Sequence, residues 1–88
     1  MIVGTIQDYS PQELAGRIRS RASGGWVVAY IDGSGFVHCD GVDSIRGQLH
    51  SLDPVGWVGR YGRGTATTLA QISEDIEATI AERRRAAA

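Results

Sequence analysis

The sequence predicts a small single α+β domain spanning residues 1–88, in which a short antiparallel sheet is packed by helices. Three observations carry that prediction. Ser10-Pro11-Gln12-Glu13 is a complete helix-start signature: a Ser cap, Pro at the first helical position and Glu three residues after the cap. Two runs rich in β-branched and aromatic residues, 26–31 and 36–39, are joined by Asp32-Gly33-Ser34-Gly35, a hairpin connection. Near the C-terminus, Leu69, Ile72, Ile76 and Ile80 recur at helical spacing.

Taken in chain order, residues 2–6 are β-branched-rich and read as a first strand. The helix that follows spans about 11–23. Leu14, Ala15, Ile18 and Ala22 line one face, Tyr9 and Leu14 form a hydrophobic staple, and Gly24-Gly25 supply the stop. If Gly33-Ser34 make a two-residue turn, Ile31 faces Phe36 and Val28 faces Cys39. Trp26, Val28, Tyr30, Val37 and Cys39 then form the core side of the sheet. Val27, Ala29, Ile31, Phe36, His38 and Asp40 form a second, also rather apolar side that another helix or chain would cover.

Val42, Ile45, Leu49 and Leu52 suggest a short helix from about Asp43 that stops before Pro54. Residues 54–64 are Gly-rich and read equally as a loop or as a short strand over 57–61. A final helix begins near Thr67. Its acids Glu74, Asp75 and Glu77 precede Arg83, Arg84 and Arg85, an order that suits the helix dipole. The expected order is β-α-β-β-α-(β)-α.

Composition excludes several functions. With 88 residues, the chain buries only about 60–65% of its unfolded surface, so a deep catalytic cavity would take much of a thin core. The net charge of −1 is far from the basic footprint of a general nucleic-acid binder, and equally far from the dense negative surface of a DNA mimic. All nine basic residues are Arg. The absence of Lys, which a G+C-rich coding sequence explains, rules out Schiff-base, P-loop and Ser–Lys chemistry. Cys39 is the only cysteine, so neither an internal disulfide nor a multi-cysteine metal site is expected. The N-terminal run has no basic flank and is too short to span a membrane, which makes the cytoplasm the expected compartment.

Four clusters invite a chemical reading. His38-Cys39-Asp40 sets a thiol beside a base, but successive strand residues point to opposite faces, and Cys39 reads as a small core residue. Arg46, His50 and Asp53 would share one flank of the short helix, as a general base with its orienting carboxylate or simply as a solvated face. The stretch 56–64 sets Trp57, Arg60, Tyr61 and Arg63 among four glycines. Gly59 and Gly64 have P-loop spacing, but Thr65 stands where Lys is required. Trp, Tyr and Arg are the residue types that dominate protein–protein hot spots. Arg83, Arg84 and Arg85 are a charge run at a chain end, ordinarily solvated.

The expectation is a non-enzymatic protein-binding module, an inhibitor or adaptor, that uses Trp57, Arg60, Tyr61 and Arg63 and needs no cofactor or metal. A phage or mobile-element protein of the anti-CRISPR, counter-defence kind would be one concrete form. Two alternatives stand beside it. One is a nucleic-acid-binding regulator using Arg60, Arg63, Arg83, Arg84 and Arg85; the other is a small enzyme with His38 or His50 as base. A homodimer is compatible with each.

Overall fold

The computed structural model describes residues 1–42, 56–62 and 68–87. In chain order these form β1 (Ile2–Thr5), α1 (Pro11–Ala22), β2 (Val27–Ile31), β3 (Phe36–Gly41), β4 (Gly56–Tyr61) and α2 (Leu69–Ala87). The four strands make one antiparallel sheet in the order β1-β3-β2-β4. The protein is a small α+β fold, as the patterning predicts. The helix expected from Asp43, together with Arg46, His50 and Asp53, lies outside the described residues.

Helix α1 starts where its signature places it. The Ser10 hydroxyl accepts from the Glu13 N–H, and the Glu13 carboxylate accepts from the Ser10 N–H, both at 3.2 Å. Two otherwise orphaned donors are thereby satisfied. Leu14, Ala15, Ile18 and Ala22 are buried, and Tyr9 packs partly against the same core. Arg17 does not pair with Glu13. Its guanidinium lies 4.3 Å over the Tyr9 ring and donates to the Tyr9 hydroxyl at 3.1 Å.

The hairpin turn is one residue longer than the two-residue turn, and this reverses β2. The Asp32 N–H bonds the Phe36 carbonyl, and the Gly35 N–H bonds the Asp32 carbonyl. Asp32 Oδ1 accepts from the Ser34 and Phe36 N–H groups at 2.9 and 3.0 Å. Gly35 has φ +88°, the left-handed conformation that a bulged three-residue connection requires. Ile31 therefore pairs with Val37, Ala29 with Cys39 and Val27 with Gly41. A one-residue shift exchanges the two faces of a strand. Val27, Ala29 and Ile31 are buried beside Val37 and Cys39. Trp26, Val28 and Tyr30 join Phe36, His38 and Asp40 on the opposite face, so their expected place on the core side of the sheet is overturned, although Tyr30 is still buried there.

The core lies between the first of these faces and the two helices, around Leu14, Ile18, Ile31, Val37, Ile72 and Ile76. In α2, Thr68 caps the first turn by accepting from the Gln71 N–H at 3.1 Å. Ile72 and Ile76 are fully inside, but Leu69 at the helix start is 43% exposed. The helix sits close against β4. A Cβ added at Gly56 would stand 2.4 Å from Thr79 Cγ2, so this strand start has room only for glycine. Among the described residues, no helix is long and apolar enough to cross a membrane.

Candidate protein-docking face

The ambiguous Gly-rich stretch forms an edge strand paired to β2, with the pairings Val27–Tyr61, Val28–Arg60, Ala29–Gly59 and Tyr30–Trp57. A bulge falls between Ala29 and Tyr30. Side-chain alternation resumes across it, so Trp57 and Arg60 both reach the face that carries no described helix. Cross-strand rows on this face are consequently Asp40–Val28–Arg60 and Ile2–His38–Tyr30–Trp57.

Three aromatic rings of this face meet solvent: Trp26 at 46%, Trp57 at 45% and Phe36 at 38% exposure. Tyr30, between them, is only 8% exposed because its neighbours cover it. The His38 ring stacks on it in parallel at 4.8 Å, and the Trp57 ring tilts against it at 5.7 Å. The Tyr30 hydroxyl donates to Asp40 Oδ2 at 2.9 Å. Burial first, then the adjoining Asp40 carboxylate, push the Tyr30 phenol up to about 12.

Two carboxylates frame the ladder. Asp32 Oδ2 lies 2.7 Å from His38 Nε2. That hydrogen bond, with the backbone N–H groups of Phe36 and Ser34 and against partial burial, holds Asp32 below the usual carboxylate range. Burial opposes ionisation of Asp40, but the Met1 ammonium and the Tyr30 hydroxyl overcome it and bring its carboxyl below the ordinary value. At the other end, the Arg60 guanidinium lies 4.9 Å over the Trp26 ring. Gly62 lies against that ring so closely that a Cβ there would stand 2.5 Å from Trp26 Cδ2.

The four residues expected to touch a partner divide. Trp57 and Arg60 are exposed together on the face opposite α1 and α2. Tyr61 is 3% exposed and faces the helices, its hydroxyl bonded to Asp75, so its ring offers no contact surface. The reason is strand alternation: Tyr61 is opposite Val27, on the core side. Arg63 lies outside the described residues. The arginines at the end of α2 belong to the helix layer, away from Arg60. Arg84 and Arg85 are exposed, whereas Arg83 is half-buried and reaches the Gly33 carbonyl at 3.4 Å.

Cys39 is fully buried on the core face while His38 points the other way, so thiol and imidazole form no pair. Burial pushes the Cys39 thiol up to about 11, which leaves it inert as a nucleophile. No group of three His, Cys, Asp or Glu side chains able to hold a metal occurs among the described residues. The patterning missed Trp26 and Tyr30 as members of the exposed face. The signal that finds them is Gly35, four residues into Asp32-Gly33-Ser34-Gly35, where a bulged turn places its left-handed residue.

Compared with protein-family models, curated proteins and solved structures, the chain finds no match. The geometry of this face therefore carries the functional argument.

Proposed function

We propose that this chain is a non-enzymatic protein-binding module, an inhibitor or adaptor, that docks its partner around Trp57 and Arg60, on the sheet face opposite α1 and α2. The observation that supports this reading is the arc Trp57–Arg60–Trp26, in which two tryptophans are nearly half exposed on either side of an arginine. Large exposed aromatics next to Arg are the composition of interface hot spots, where truncation of one anchor costs about 2 kcal/mol or more. The carboxylates Asp32 and Asp40 on the same face disfavour a phosphate backbone as occupant. Separation of Arg84 and Arg85 onto the helix layer weakens the nucleic-acid reading further.

The test uses tagged wild type, Trp57→Ala and Arg60→Ala as baits in a nuclease-treated lysate. The expected result is one stoichiometric protein partner, recovered by wild type and lost by both variants, whose circular dichroism matches wild type. Equal recovery by all three baits removes this face as the contact. A catch that disappears with nuclease and moderate salt assigns the chain to nucleic-acid binding instead.

A further inference from the structure

β4 is an outer strand of the sheet. Among the described residues it pairs with β2 alone. Its backbone takes one further hydrogen bond, from the Thr79 hydroxyl to the Trp57 carbonyl oxygen at 3.1 Å. The side of β4 turned away from β2 therefore has no strand beside it among the described residues. Such an edge is the template that an extended segment of another chain completes, with main-chain bonds giving affinity and alternate side chains giving specificity.

Trp57 and Arg60 are the exposed side chains that stand over this edge. Their partners in β2, Tyr30 and Val28, are two residues apart, because the bulge absorbs the extra residue of β4. A regular strand laid on the outer side meets Trp57 and Arg60 with the same two-residue spacing. Given the docking reading above, we infer that the β4 edge takes an extended acidic segment of another protein as a further strand. An Asp or Glu of that segment pairs with Arg60, and an apolar residue two positions away packs against Trp57.

The charges support this occupant. The Arg60 guanidinium is exposed, lies over the Trp26 ring and has no carboxylate among the described residues. Opposite-charge pairs on neighbouring strands are favourable and like-charge pairs are not. Asp40 stands on β3, with β2 between it and β4, and is already bonded to the Met1 ammonium and the Tyr30 hydroxyl. It repels an acidic chain from the far side of the sheet and so confines it to the β4 edge. The Trp57 ring leans on Tyr30 and leaves nearly half its surface for an apolar neighbour. The contact runs along the edge and needs no opening over Val28.

Random peptides of about eight residues, displayed on phage and panned on the purified chain, test this without a known partner. The expected consensus has an acid two positions from an apolar residue. A synthetic peptide of that sequence should bind Arg60→Glu about tenfold more weakly than wild type or worse, since a favourable cross-strand pair becomes a like-charge one. Panning on Arg60→Glu should select Lys or Arg in place of the acid, and panning on Trp57→Ala should relax the apolar position alone. Both variants should keep the circular dichroism of wild type. N-methylation of every second amide of the peptide should abolish binding in one of the two registers, because the ladder donors are lost. No consensus, a consensus without an acid, or one unchanged on Arg60→Glu overturns the inference, as does binding that survives N-methylation in both registers. If the lysate test recovers a partner lost by Trp57→Ala and Arg60→Ala while panning selects no acid, the docking reading stands and the acidic strand alone falls. Equal recovery by all three baits together with no consensus removes both.

Discussion

The Tyr61 hydroxyl donates to the Asp75 carboxylate across 2.7 Å, tying the last residue of β4 to the middle of α2. The ring is buried and the carboxylate also accepts from Gln71 Nε2 at 3.0 Å. Tyr61→Phe keeps the packing and deletes the donor. We expect a loss of about 1.5–3 kcal/mol, the range for a hydrogen bond to a charged group, read as a lower urea midpoint. Affinity for a partner should not change, because Tyr61 faces away from the docking surface.

Two glycines should respond to alanine with opposite signs. Gly56→Ala drives a methyl into Thr79, which stands 2.4 Å from the new Cβ, and overpacking of this kind costs about 1–3 kcal/mol. Gly16 lies on the exposed side of α1 with no atom within 4 Å of an added Cβ. Gly16→Ala should raise stability by about 0.5–1 kcal/mol, through helix propensity and a less flexible unfolded chain. Thermal unfolding of the two variants side by side checks both.

Cys39 should be invisible to thiol reagents in the native protein. Its side chain is fully buried and its thiol is pushed up to about 11, so little thiolate is present at neutral pH and none of it is reachable. Ellman's reagent should label one thiol per chain only after denaturant is added. Fast labelling under native conditions would contradict the burial of the β3 core face.

Stability should fall on both flanks of neutral pH, for reasons of opposite sign. Asp32 and Asp40 have folded-state pKa values below their ordinary ones. Their contribution is complete above the unfolded value of about 4 and is lost as pH falls through the lower folded values. Tyr30 is raised to about 12. Its contribution is complete below the unfolded value of about 10 and is lost as pH rises toward 12. Urea midpoints across the acid range should decline less steeply in Asp40→Asn than in wild type, and Tyr30→Phe should flatten the alkaline limb.

Both tryptophans should report occupancy of the face. Trp26 and Trp57 are close to half exposed in the free chain, so emission should be red-shifted at low concentration. Docking of a partner should shift it to the blue, and Trp57→Ala should remove much of that change. A spectrum that stays fixed while a complex forms would place the contact elsewhere.

How much of this was legible in the sequence depends on how local each signal is. The start of α1 is written in four consecutive residues whose side chains cap their own backbone, so Ser10 and Glu13 locate it without reference to the rest of the chain. The buried stripe Ile72 and Ile76 follows from helical period alone. The two faces of β2 do not follow from period, because Trp26, Val27, Val28, Ala29, Tyr30 and Ile31 are all apolar enough for either side. Only the turn decides, through the Asp32 carboxylate and Gly35. Strand β4 was equivocal because its glycines read as loop residues. In the folded chain, Gly56 and Gly62 instead make room for Thr79 and the Trp26 ring. The exposed pair Trp57 and Arg60 could be picked by residue type, but the burial of Tyr61 next to them required knowing which way the strand faces.

The contact of Thr79 with β4 has a consequence for how Trp57 would bind. The Thr79 hydroxyl lies 3.1 Å from the Trp57 carbonyl oxygen and 2.8 Å from that of Asp75, and on the other side the Trp57 ring leans on Tyr30. The anchor is thus gripped from behind and from the side before any partner arrives. Association through it forfeits little ordering entropy, in contrast to a mobile loop that must be frozen on contact. A small face can then hold a partner more tightly than its area alone suggests, with the gain appearing as rigidity already present in the unbound chain.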